Sequence, residues 1–151
     1  MGRITKGLLA GAAATAALSA LMVMKQMLGL MPQLDLPKMI AGMMGAPDRP
    51  MIGWVVHVMI GVVGYGLAIA LLDSRLPGKS SLLHGLLIGF AGWLVMMIML
   101  MPMAGAGLFG MTLGMMAPMM TLILHLIFGA VLGWTYGRLA PSVLTAAHAR
   151  T

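Results

Sequence analysis

The sequence predicts an all-α membrane fold, a polytopic four-helix bundle, and three observations lead to it. The chain has 151 residues, 61% of them hydrophobic and 8% charged, with a mean hydropathy of +1.03. A soluble domain carries about 25% charged residues to cover its surface, so a water-soluble enzyme is excluded. Four separate stretches, 7–30, 51–72, 81–101 and 118–139, reach the length of about 20 mostly apolar residues that a spanning helix needs.

The elements follow in order. Arg3 and Lys6 precede the first apolar run, which is too long for a signal peptide's apolar core and is expected to be retained. Met31-Pro32 ends it. Segments 34–45 and 108–116 are too short to cross the hydrocarbon core, so they are expected as short interfacial helices on the outer side. Asp48-Arg49-Pro50 opens the second span, and the polar run from Asp73 to Lys79 turns the chain into the third. Met101-Pro102 closes the third, and Ala140-Pro141 begins a polar tail. Residues 1–140 thus form one transmembrane domain, and 141–151 a tail.

Charge sets orientation. With the N-terminus inside, Arg3, Lys6, Arg75, Lys79, Arg138 and Arg150 lie inside, and Lys25, Lys38 and Arg49 outside. The excess of basic residues inside predicts a multi-pass protein of the inner (plasma) membrane, N-in and C-in. The net charge of +6 is scattered over segment ends, which argues for a lipid bilayer as partner and against nucleic acid. The absence of cysteine excludes disulfides and thiolate metal sites.

The two halves align as tandem repeats, 7–72 on 85–139. Gly7-Leu-Leu-Ala-Gly11 matches Gly85-Leu-Leu-Ile-Gly89, and Leu30-Met-Pro32 matches Leu100-Met-Pro102. Met39-Ile-Ala-Gly-Met-Met44 matches Met111-Thr-Leu-Gly-Met-Met116, Ala46-Pro47 matches Ala117-Pro118, and His57-x-x-x-Gly61 matches His125-x-x-x-Gly129. A pseudo-twofold axis along the membrane normal is expected. Small residues at every fourth position, Gly7, Gly11, Thr15 and Ser19 in the first span and Gly129, Gly133 and Gly137 in the fourth, predict close helix packing.

His57 and His125 carry the chemistry. Ionisable groups inside a span are rare and face the protein interior. At 1.5 Å per residue both lie about 10 Å below the outer boundary. With Gly61 and Gly129 one turn away, they are placed to clamp a b-type haem or to share a metal ion. The alternatives are two imidazoles hydrogen-bonded to carbonyls or hydroxyls, with Thr121 an acceptor for His125, and a proton relay. His84, near the inner interface, reads as a polar anchor, and His148 belongs to the tail.

Methionine is the second feature. Of 20, all but Met1 fall between Met22 and Met120, with none from 60 to 95, so they gather in the outer half. Thioethers fill irregular gaps and also bind Cu(I). Met43, Met44, Met101, Met115 and Met116 are the candidate metal ligands. Lys25 is expected to snorkel to the headgroups, or with Arg49 to pair an anion such as a haem propionate. Trp54 and Tyr136 suit the two interfacial belts. The three carboxylates, Asp35, Asp48 and Asp73, occupy loop positions, and no catalytic constellation accompanies them.

The run His125-Leu-Ile-Phe-Gly129-Ala-Val-Leu-Gly133-Trp-Thr-Tyr-Gly137, together with Met101-Pro-Met-Ala-Gly-Ala-Gly-Leu-Phe-Gly110, resembles a family of small prokaryotic four-helix membrane proteins, a domain of unknown function. The resemblance covers nearly the whole chain and implies the fold without an activity. The residues themselves lead to a cofactor-binding or accessory membrane subunit, holding haem b or a redox metal between His57 and His125 beside a respiratory chain. The alternatives are a Cu(I)-handling carrier or chaperone using the outer methionines, and a structural subunit of a larger complex or homo-oligomer.

Overall fold

The structure, a computed structural model, describes residues 1–139 and is all-helical, with no strand among them. Four helices are long and apolar enough to cross a membrane: α1 (Arg3–Met27), α3 (Pro50–Leu72), α4 (Ser81–Met103) and α5 (Met116–Leu139). A short helix, α2 (Leu36–Met43), links α1 to α3. The proposed tail, with His148 and Arg150, lies outside the described residues.

Helix ends obey local chemistry. The Asp35 side chain caps α2 by accepting from the Lys38 amide at 3.1 Å. Proline occupies the first turn of α2 (Pro37) and of α3 (Pro50), where no amide hydrogen is needed. Gly29, at φ +65°, stops α1, its amide bonding to Gln26 O and that of Leu30 to Lys25 O, both at 3.0 Å. Gly105 ends α4 in the same way, three residues past the Met101-Pro102 pair marked by the sequence. The expected second interfacial helix is a 3₁₀ turn, Leu108–Leu113, broken where Phe109 and Gly110 take left-handed backbone.

α5 lies between α1 and α4, and α1 also packs along α3. α3 and α4 approach each other mainly through Gly66–Leu72 and Ser81–Val95, toward the Asp73 turn. A twofold axis exchanging the hairpins would make the α1–α5 contact equivalent to the α3–α4 contact, yet the first is extensive and the second is not. Glycine registers differ too. Gly85 faces Gly129 and Gly133, whereas Gly7 faces Gly66 and Ala70 instead of the Gly61 that the repeat alignment requires. Gly66 lies five residues beyond Gly61: one helical turn plus the residue added by a π-helical turn at Ile60–Tyr65. The packing therefore gives no support to a symmetric pair of repeats, and the departure opens a cleft between α3 and α4.

The core has two parts. Ala10, Ala14, Leu18, Ile69, Phe128, Leu132 and Tyr136 belong to the larger cluster. Leu34, Met96, Met97, Met101 and Ala106 form a second one at the α2 end, where flexible thioethers fill space around irregular loops.

The Asp73 end is clasped. His84, 4% exposed, donates from Nδ1 to Asp73 Oδ1 at 2.7 Å, joining the end of α3 to the first turn of α4. His84 is thus a buried clasp rather than an interfacial anchor. His84→Ala should lower stability by about 1–3 kcal/mol, since the half-buried carboxylate loses its partner. An unchanged detergent-denaturation midpoint would dismiss the clasp.

Candidate functional site: a cleft between α3 and α4

The cleft holds a cavity of about 260 Å³ in the α2 half of the bundle. Leu36, Ile40 and Met43 of α2 roof it. Tyr65 of α3 closes its floor, packed so closely on Gly92 of α4 that no side chain fits at that glycine. Phe128 of α5 lines the back and meets the Tyr65 ring edge-on at 4.8 Å. Two π-helical turns flank the space, Ile60–Tyr65 in α3 and Met96–Leu100 in α4. Such turns insert a residue into a helix and gather at functional sites.

Both histidines line this cavity. His57, 7% exposed, has a buried Nε2 with no hydrogen-bond partner. The Trp54 ring stands edge-on to it, centroids 5.8 Å apart. His125 donates from Nδ1 to the Thr121 carbonyl at 2.9 Å. A carbonyl can only accept, so neutral His125 carries its proton on Nδ1 and keeps its lone pair on Nε2. The Thr121 hydroxyl is engaged elsewhere, donating to Ala117 O at 2.7 Å. Trp93 of α4 secures the same turn of α5, its indole nitrogen 3.1 Å from Pro118 O.

The other candidate residues divide. Gly61 lines the cavity, but its Cα faces Thr15 of α1. Gly129 is committed to α4, because a Cβ there would stand 2.5 Å from Gly85 O. Both glycines therefore serve helix contact before any ligand. The five candidate methionines are not brought together. Met43 reaches the cavity rim, Met101 is fully buried in the second core cluster, and Met44, Met115 and Met116 are exposed. The thioethers that share the cavity with the imidazoles are Met43, Met96, Met99 and Met103.

Lys25 does not snorkel. It is 6% exposed, and its ammonium donates to the carbonyls of Leu30, Met31 and Leu34 at 3.2, 3.1 and 2.7 Å. The loop after α1 turns back over the helix end, and its carbonyls draw the three N–H groups inward. Lys25 is thereby unavailable to a propionate. Tyr136 is buried in the larger cluster rather than belted, whereas Trp134 is exposed with Arg138 5.0 Å over its ring.

Sequence reasoning missed Tyr65, Gly92 and Met96 as parts of the site. The crowding of Gly61, Gly64 and Gly66 around Tyr65 was the available signal for an irregular helix. Nothing comparable marks Met96.

The fold and the site define a four-span, membrane-type helical bundle with a lateral cleft lined by two histidines and four methionines. The chain belongs to the family of unknown function DUF6789, whose family model matches residues 1–146. No curated protein and no solved structure matches it.

Proposed function

We propose that this protein is an integral-membrane, cofactor-binding accessory subunit, and that the cofactor is a soft metal ion, Cu(I), held in the cleft. The observation that carries the reading is one cavity shared by His57, His125 and the thioethers of Met43, Met96, Met99 and Met103. Imidazole and thioether are the neutral, soft donors that favour Cu(I). Once bound, the ion supplies one-electron chemistry or a cargo for transfer. The protein's part is to present His57 Nε2 and His125 Nε2, the latter oriented by the Thr121 carbonyl.

A b-type haem fits less well. The cavity, about 260 Å³, lies below the roughly 300–1,000 Å³ that drug-sized ligands occupy, and a porphyrin enters only if α3 and α4 part. Lys25, the nearest buried cation for a propionate, is already bonded to three carbonyls.

The α2 end is assigned to the outside of the inner membrane. Arg3, Lys6, Arg75, Lys79 and Arg138 lie at the opposite end, while Lys25 is folded into its loop and leaves Lys38 and Arg49 as the outer cations.

Protein purified anaerobically in detergent and loaded with Cu(I) should retain about one ion per chain. A His57→Ala, His125→Ala double variant should bind it at least about tenfold more weakly, since loss of even an outer-shell partner costs a metal site that much. A Soret band in the purified protein would return haem to first place. Neither copper nor haem would leave the structural-subunit reading.

A further inference from the structure

An ion needs far less room than the cleft provides, and the surplus faces lipid. The rim residues Ile60 on α3 and Val95, Met99 and Met103 on α4 are 45%, 58%, 59% and 70% exposed while lining the cavity. The cleft therefore opens sideways between the two helices, and a molecule dissolved in the bilayer reaches it without crossing water. An apolar cavity of about 150 Å³ already admits benzene, so about 260 Å³ accommodates one substituted ring. Two imidazoles line it: His57, whose buried Nε2 has no partner, and His125, whose Nδ1 is spent on Thr121 O. A purely lipid filling would leave the His57 nitrogen unpaired, at a cost of about 1–3 kcal/mol.

We propose that the cleft binds the ring of a lipid-soluble quinol, entering laterally between α3 and α4, with one hydroxyl on His57 and the other on His125. The donor–acceptor pattern selects the reduced form. His125 gives its only neutral N–H to Thr121 O, so Nε2 accepts and requires a ligand O–H. A quinol hydroxyl supplies that hydrogen; a quinone carbonyl does not. At His57 either form pairs, because a hydroxyl or a carbonyl accepts from an imidazole N–H. Tyr65 and Phe128, already edge-to-face, present an aromatic wall to the ring. Any tail on the ring runs out past Val95 and Met99 into lipid.

This rests on the cleft alone and not on the copper reading. Copper on the same imidazoles competes with the ring, so the measurement uses metal-free protein in phosphatidylcholine nanodiscs. Duroquinol and duroquinone are titrated anaerobically, followed by quenching of tryptophan fluorescence and by the ¹⁵N resonances of His57 and His125. Saturable binding is expected, with duroquinol about fivefold tighter than duroquinone, the equivalent of one hydrogen bond. Val95→Trp, at an exposed rim position, should fill the mouth and abolish saturable binding. Its Cu(I) retention should remain, which separates loss of the ring site from loss of the metal site. His125→Phe should remove the preference for the reduced form. Linear partitioning identical in the parent and Val95→Trp would overturn the proposal. Equal affinity for the two forms in the parent would overturn the role of His125.

Discussion

Gly129→Leu is expected to separate α5 from α4 and to lower the stability of the bundle by about 3 kcal/mol or more. These two helices make the most extensive contact in the protein. Gly85 and Gly89 pack directly on the backbone of Gly129 and His125, and Gly133 packs on Ser81 and Gly85. A Cβ at Gly129 would already stand 2.5 Å from Gly85 O and 3.2 Å from Leu86 Cα. These are backbone atoms that cannot rotate away. Leucine must push the helices apart, and in lipid no gain from apolar burial offsets the lost van der Waals contact. Overpacking ordinarily costs about 1–3 kcal/mol, and a rigid neighbour places this case at or above the top of that range. Gly42→Ala provides the control, because its Cβ would meet nothing within 4 Å; it should stay within about 0.5 kcal/mol of the parent. Helicity followed through detergent denaturation distinguishes them, and a Gly129→Leu midpoint equal to that of Gly42→Ala would remove the glycine contact from the account of stability.

That hairpin was legible in the sequence because its determinants are local and periodic. Gly85, Gly89, Gly129 and Gly133 announce a helix contact by spacing alone, and four apolar runs give four spans within a few residues of the observed ends. That His57 and His125 face inward was legible for a different reason: a titratable side chain within an apolar run has few places to face other than the interior. The cleft itself was not. It depends on a one-turn difference in how α1 meets α3 and α4 meets α5, and on two π-helical turns, none of which alters hydrophobic periodicity. The repeat alignment even argued the other way, since it weighed residue identity and not the backbone distance between helices.

Lys25 and His84 teach a related point about polar residues near span ends. Their positions suggested headgroup contact, which is the common fate of such side chains. Both instead turn inward, because each has a specific partner: three loop carbonyls for Lys25 and the Asp73 carboxylate for His84. The carbonyls become available only after Gly29 reverses the chain and Met31 takes φ 48°, a geometry that sequence pattern does not describe. The two contacts have opposite consequences for the cleft. His84 holds α3 and α4 together at the Asp73 end, and Lys25 fixes the loop that leads into the roof helix α2.

Lys25→Met is therefore expected to destabilise the protein by about 1–3 kcal/mol and to loosen the roof before the bundle. Methionine keeps most of the aliphatic stem but gives no hydrogen to Leu30 O, Met31 O or Leu34 O. Met31 O keeps the Leu34 amide at 3.0 Å, and the buried Leu34 carbonyl loses its lysine partner, a loss worth about 1–3 kcal/mol. Arginine is not a replacement, since its planar fork does not converge on three carbonyls as an ammonium does. Leu34 belongs to the second core cluster with Met96, Met97 and Met101, and Leu36 begins α2 two residues later. Releasing the loop thus withdraws Leu34 from the core and frees Leu36, Ile40 and Met43 from the top of the cleft. Limited proteolysis should cut Lys25→Met between residues 28 and 35 well before the parent, and Cu(I) retention should fall with it. Lys38→Met, which removes an exposed cation from α2 itself, should match the parent in both assays. Parent-like protease resistance in Lys25→Met would mean that the loop is held by Leu34 packing alone, and the three-carbonyl cap would then have no part in seating the roof.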